Sequence, residues 1–176
     1  MGFFREVESK VVGSKTNTSG AQGRKMISIS NSSSKDRNKF KDRNKLANTE
    51  NGDNYIKVYY CNSRSVRNKI DLLRGLASVE RPAVIAITET WIDTKERDFK
   101  SEFEIEGYNI FQKDRNGRAG GGVAIYVENS LNCFTSRTVE TGANSETLWV
   151  EIVKGRERLL LGCVYRPPSL SREETK

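Results

Sequence analysis

Ala83-Val84-Ile85-Ala86-Ile87-Thr88-Glu89-Thr90-Trp91-Ile92-Asp93 is the stretch on which the reading of this chain turns. Directly after Pro82 it runs through small and β-branched residues with no polar interruption. Such a run is a strand buried on both faces, and strands of that kind belong to sheets covered by other layers. Glu89 ends it abruptly. In layered α/β proteins ligands and metals bind at the carboxyl edge of the sheet, where loops open and strands hold side chains rigidly. Glu89 is thus either a metal ligand or a carboxylate reaching solvent as its strand ends, and the stretch by itself leaves both readings open.

Upstream, Tyr55-Ile56-Lys57-Val58-Tyr59-Tyr60-Cys61 is rich in β-branched and aromatic residues and follows the turn-like Asn51-Gly52-Asp53-Asn54. It reads as the first strand of the structured region. Asn62-Ser63-Arg64 then leads to Ser65, a suitable helix N-cap, after which Val66, Ile70, Leu73 and Ala77 recur at helical spacing until Pro82. Strand, helix and strand in this order form a βαβ unit, so the strands at Tyr55–Cys61 and Ala83–Thr88 should lie parallel in one sheet.

Downstream, Tyr108-Asn109-Ile110-Phe111 and Val123-Ala124-Ile125-Tyr126-Val127 flank a charged, glycine-dense turn and predict a hairpin. The glycines at 120–122 suggest a phosphate cradle, but the missing Gly-Lys-Ser/Thr and a next segment that reads as strand rather than helix argue against a nucleotide loop. Thr147–Val153 and Arg158–Tyr165 predict two more antiparallel strands, the second stopped by Pro167-Pro168, since proline supplies no amide to a ladder.

Composition bounds the class. The 176 residues suffice for one domain with a real core plus a tail. Lys and Arg number 30 against 23 Asp and Glu, a formal charge of +7. Residues 1–54 hold eleven Lys/Arg and six Asp/Glu, net +5, with Phe40 as the only aromatic after Arg5, and predict a disordered basic leader. A basic arm favours anionic partners such as nucleic acid, although the same composition also describes a merely solvated leader. The tandem hexamers at 35–40 and 41–46 are too few for a solenoid. Cys61, Cys133 and Cys163 lack metal-ligand spacing and read as free thiols of a reducing compartment. No apolar run approaches a membrane span, no signal-peptide core is visible, and Glu6 argues against myristoylation at Gly2. The expectation is a nuclear or cytoplasmic protein with no membrane partner.

The ordered set Cys61-Asn62-Ser63-Arg64-Ser65, Ile87-Thr88-Glu89-Thr90-Trp91-Ile92-Asp93, Gly107-Tyr108 with Lys113-Asp114-Arg115 and Gly120-Gly121-Gly122-Val123, Leu148-Trp149-Val150-Glu151-Ile152, and Gly162-Cys163-Val164-Tyr165-Arg166-Pro167-Pro168 resembles the amino-terminal half of an endonuclease domain. The domain is that of non-LTR (LINE-type, jockey- or CR1-like) retrotransposons, in the endonuclease/exonuclease/phosphatase superfamily. The resemblance covers residues 55–168, leaving a leader at 1–54 and a polar tail at 169–176. It implies a partial four-layer α/β sandwich, DNase I-like, and Mg²⁺-dependent phosphodiester hydrolysis on DNA. By resemblance Glu89 is the metal ligand, Asn62 orients the metal-site carboxylates or the phosphate, and Tyr165 helps bind the scissile phosphate. Mg²⁺ suits that set, because it takes oxygen ligands and keeps several waters. Arg64 and Arg115 are candidate partners for DNA phosphates, or equally surface arginines.

The sequence departs from that pattern in containing no histidine. The resemblance implies a late Ser-Asp-His segment and a central aspartate and asparagine, and none has a counterpart here. The expectation is therefore a truncated domain, inactive alone, from a parent with a downstream reverse transcriptase. A non-catalytic nucleic-acid-binding remnant is the alternative. Half a sandwich would also leave Val123, Ile125, Leu148, Val150 and Leu160 without a covering sheet.

Overall fold

The computed structural model describes residues 5–10, 24–30, 55–92, 99–115, 120–136, 146–154 and 157–165. In chain order the elements are β1 (Arg5–Lys10), β2 (Arg24–Ser30), β3 (Tyr55–Asn62), α1 (Ile70–Glu80), β4 (Val84–Thr88), α2 (Phe99–Phe103), β5 (Tyr108–Lys113), β6 (Val123–Glu128), β7 (Asn132–Thr135), β8 (Glu146–Lys154) and β9 (Glu157–Tyr165). They form a five-stranded sheet in the order β1-β3-β4-β6-β5 and a four-stranded sheet in the order β2-β9-β8-β7.

The βαβ unit is present as read. β3 and β4 are parallel, with Asn62 beside Thr88, and α1 connects them. β4 is buried at every position, as its unbroken apolar run requires. β6 is antiparallel to β4 and forms a hairpin with β5. In the second sheet β8 is antiparallel to both β7 and β9. The start of α1 differs from expectation. A single 3-10 turn, Arg67–Lys69, precedes it, and no side chain caps either segment. Ser65, at a positive φ of 84°, lacks the extended backbone of an N-cap, and its N–H donates to the carbonyl of Glu89. The helix ends where Arg81, at φ 42°, returns its N–H to Ala77, one residue before Pro82.

Side-chain alternation along the strands divides the apolar residues into two cores. Val58, Tyr60, Val84, Ala86, Val123 and Ile125 face Leu148, Val150, Ile152, Leu161 and Cys163 of the other sheet. On the opposite face of the first sheet, Cys61, Ile85, Ile87 and Tyr126 pack with Ile70, Leu73 and Phe103 of the helices. The fully buried Tyr126 has its hydroxyl satisfied by the carbonyl of Phe103 at 2.8 Å, which ties α2 to the sheet. The described layers are thus helix, sheet, sheet: an α/β sandwich, and partial relative to the four layers expected.

Two expectations are corrected. Val123, Ile125, Leu148 and Val150 do not lack a cover, because the two sheets close on one another, and Leu160 is buried as well. Within the leader read as disordered, residues 5–10 and 24–30 are strands. β1 pairs with β3, and β2 pairs in parallel with β9. Averaging composition over the leader hid short alternating segments such as Met26-Ile27-Ser28-Ile29-Ser30, and open strand edges template such additions through backbone bonds alone. The tandem hexamers and Pro167-Pro168 lie outside the described residues.

Ile125 is fully buried between the sheets. Replacing it with Ala should lower the unfolding free energy by about 3 kcal/mol, the scale of a methylene deletion plus residual cavity. Urea denaturation checks this, and a loss below about 1 kcal/mol would contradict a packed interface at that position.

Candidate metal and phosphate site

Past their last ladder pairs, the chains leaving β3 and β4 stay hydrogen-bonded to one another. Ser63 N–H donates to Thr88 O at 2.8 Å, Ser65 N–H to Glu89 O at 2.9 Å, and Val66 N–H to Thr90 O at 2.9 Å. The Ser63 hydroxyl adds a bond to Glu89 O at 2.7 Å. Positive φ values at Arg64, Ser65, Glu89 and Trp91 accompany this paired exit. Each left-handed non-glycine residue costs on the order of 1–3 kcal/mol, so the surrounding bonds must over-determine the conformation. In return, Glu89 is presented at the sheet edge from a backbone whose carbonyl is held by two donors.

The Glu89 carboxylate is where three elements meet. Asn62 Nδ2 donates to Glu89 Oε1 at 2.7 Å, and the Tyr165 hydroxyl donates to the same oxygen at 2.7 Å. Asn62 and Glu89 come from the carboxyl ends of β3 and β4, whereas Tyr165 closes β9 in the other sheet. A carboxylate only accepts, so the amide must turn Nδ2 toward it, and Oδ1 of Asn62 is left buried with no hydrogen-bond partner among the described residues. Oε2 of Glu89 likewise carries no hydrogen bond among them. Burial, reinforced by the bond to Glu89, raises the Tyr165 hydroxyl to about 12, so it remains a donor at neutral pH.

A second carboxylate lies against this group. Glu146 opens β8 directly opposite Tyr165 and is buried. It binds the Arg115 guanidinium through Oε1 and accepts the Gly122 N–H through Oε2 at 2.6 Å. The glycine loop then returns to the Glu89 turn, with Thr90 N–H on Gly122 O at 3.3 Å and Trp91 N–H on Gly121 O at 2.8 Å. Gly121 is required here. At φ 76° a Cβ would meet both the Arg115 Nε and the Glu146 Oε2 at under 3 Å.

Of the residues singled out in the sequence, Asn62, Glu89 and Tyr165 converge within hydrogen-bond distance. Arg115 reaches the same edge but is engaged by Glu146, whereas Arg64 is exposed at the turn beside Glu89. Ser63 and Glu146 were not anticipated, and the only sequence signal for them was a polar residue at a strand end. The residues present fit a hard divalent cation: two oxygens, Glu89 Oε2 and Asn62 Oδ1, carry no hydrogen bond among the described residues, and Mg²⁺ needs few protein ligands because it keeps its waters. Among the described residues no group of His, Cys, Asp and Glu forms a self-contained metal cage. A hollow between α1 and β5, near Arg74, Arg81, Tyr108 and Glu128, is lined by none of these groups.

Comparison with solved structures finds similarity to an AP endonuclease from Leishmania major (22% identity over 60% of this chain and 37% of that one, TM-score 0.47). It also finds an AP endonuclease from Archaeoglobus fulgidus (16% identity, 60% and 39%, TM-score 0.44). A third is truncated TDP2 from Caenorhabditis elegans (13% identity, 64% and 43%, TM-score 0.41). The chain thus spans less than half the length of these structures. No protein-family model and no curated protein matches the sequence.

Two outcomes test the construction of the site. Gly121→Ala should part Arg115 from Glu146 and lower the melting temperature by several degrees, because a strained loop and a buried, half-broken ion pair both cost free energy. An unchanged melt would place the loop elsewhere. Burial raises Tyr60 and Cys61 to about 12 from ordinary values of 10 and 9. The folded state therefore holds these protons more tightly than the unfolded chain does. Their share of stability is intact below pH 9 and is lost as pH climbs from 9 through 12. Urea midpoints should be flat at neutral pH and fall across that window, and a midpoint that rises there would refute the burial of these groups.

Proposed function

We propose that Asn62, Glu89 and Tyr165 form the metal- and phosphate-binding part of a Mg²⁺-dependent, DNA-cleaving phosphodiesterase site, in an endonuclease of the non-LTR retrotransposon type. One observation carries this: a carboxylate oxygen at a sheet edge draws donors from two different sheets, while Glu89 Oε2 and Asn62 Oδ1 are left without hydrogen bonds among the described residues. The bonds orient the carboxylate, since charge-assisted bonds of this length are worth about 1.5–3 kcal/mol each. Glu89 Oε2 and Asn62 Oδ1 would hold the cation, whose chemistry when bound is to neutralise charge on a phosphodiester oxygen. The Tyr165 hydroxyl is protonated at neutral pH and gives its single proton to Glu89 Oε1, so it would bind a phosphate oxygen only by turning away from the carboxylate. Arg64, exposed beside the turn, supplies positive charge for the strand.

The retrotransposon origin and a downstream reverse transcriptase rest on the motif resemblance. With no histidine in the chain, imidazole contributes nothing to proton transfer. We therefore expect metal-dependent DNA binding to be strong relative to turnover. The absence of histidine also favours a second reading, a non-catalytic DNA binder working through Arg64 and the basic leader.

Glu89→Gln separates the two. Duplex binding by fluorescence anisotropy should tighten at least about tenfold from EDTA to Mg²⁺ in the unaltered chain, the scale on which metal-site groups are felt, and the gain should vanish in the variant. Any plasmid nicking should vanish with it. Binding that falls with salt yet ignores both Mg²⁺ and the substitution would support the non-catalytic reading instead.

A further inference from the structure

Trp91 stands two residues beyond Glu89, is 54% exposed, and sits at φ 55°. Both facts run against the ordinary fate of an indole, which is to be buried and to avoid left-handed backbone. The conformation is imposed from below. Trp91 N–H is fixed on Gly121 O, Thr90 N–H on Gly122 O, and the buried Ile92 anchors the next position. The ring rests beside Gly120, where a Cβ would come within 3.4 Å of Nε1, so the glycine gives it a flat support. The other tryptophan, Trp149, is packed in β8 across Gly162 and largely shielded. A rigidly seated, half-exposed aromatic ring at the rim of a phosphate-binding edge presents a π-face to whatever occupies that edge.

We infer that Trp91 is a stacking platform for an unpaired nucleobase of the DNA strand whose phosphate lies at Glu89. The assignment deepens the proposed function and takes its position from it. The chemistry matches: every base offers a π-face, stacking on an aromatic side chain is sequence-tolerant, and a base must leave its duplex neighbours to reach the ring. Arg64, also exposed at this turn, supplies charge for the phosphate backbone alongside. Fully paired duplex should gain little from the platform, because its bases are already stacked.

The test uses the full chain in EDTA, so that stacking is read without the metal. Titration with a short oligothymidylate should quench tryptophan fluorescence saturably. Trp91→Ala should abolish the quench and weaken that binding about tenfold, within the 1–3 kcal/mol that base stacking contributes, while Trp91→Phe should retain most of the affinity. Blunt duplex should bind all three proteins alike. Single-strand binding by Trp91→Ala equal to the unaltered chain, or a quench that persists in it, overturns the platform; so does equal loss of duplex and single-strand affinity. Glu89→Gln is the control for the underlying reading. It should keep the quench in EDTA while losing Mg²⁺ dependence, so the two claims fail separately.

Discussion

Where a parallel ladder would ordinarily stop, the segments after β3 and β4 go on exchanging hydrogen bonds from Ser63 to Val66 and from Thr88 to Thr90. That extension is what gathers side chains around the end of β4. It fixes the Glu89 carbonyl, so the side chain has little freedom left, and it places Asn62 within 2.7 Å of the carboxylate without any loop having to close over it. Without these bonds the left-handed residues at 64, 65, 89 and 91 would relax toward ordinary backbone. The carboxylate would then be another exposed glutamate at the end of a strand.

Tyr165 shows why both sheets are needed. It stands at the end of the second sheet, yet its hydroxyl meets the same oxygen that Asn62 holds from the first. Its position depends on the interdigitated core between the sheets, and the Glu146–Arg115 pair with the glycine loop fastens the two edges nearby. Packing energy spread over the interior is in this way converted into alignment at one point. Buried ion pairs add little net stability, since desolvation offsets attraction, so the contribution of Glu146 and Arg115 is chiefly to register.

Elements whose evidence is local were legible from the residues. The apolar run of β4, the helical spacing from Ile70 to Ala77 and the apolar, β-branched character of β6, β8 and β9 each carry their own signal, and these elements are present, with the helix starting after a 3-10 turn. Glu89, Asn62 and Tyr165, whose side chains the structure brings together, were singled out through motif order. Glu146 was not, since its partners Arg115 and Gly122 are distant in sequence and a glutamate opening a strand looks solvated. β1 and β2 escaped for a different reason: edge strands are recruited by backbone groups of a sheet that already exists, which no window of composition reports. The helix cap at Ser65 failed because the backbone there has a positive φ rather than the extended conformation of an N-cap.

The pairing of β2 with β9 sets a timetable for assembly. Ile27 lies beside Leu161, so this segment must wait for a strand far along the sequence before its own hydrogen bonds have anywhere to go. During synthesis the first sheet can gather around β3 and β4 well before that moment, while the second remains open along one border. A nascent chain paused near residue 150 would carry the Glu89 turn without Tyr165, the donor that reaches its carboxylate from the second sheet.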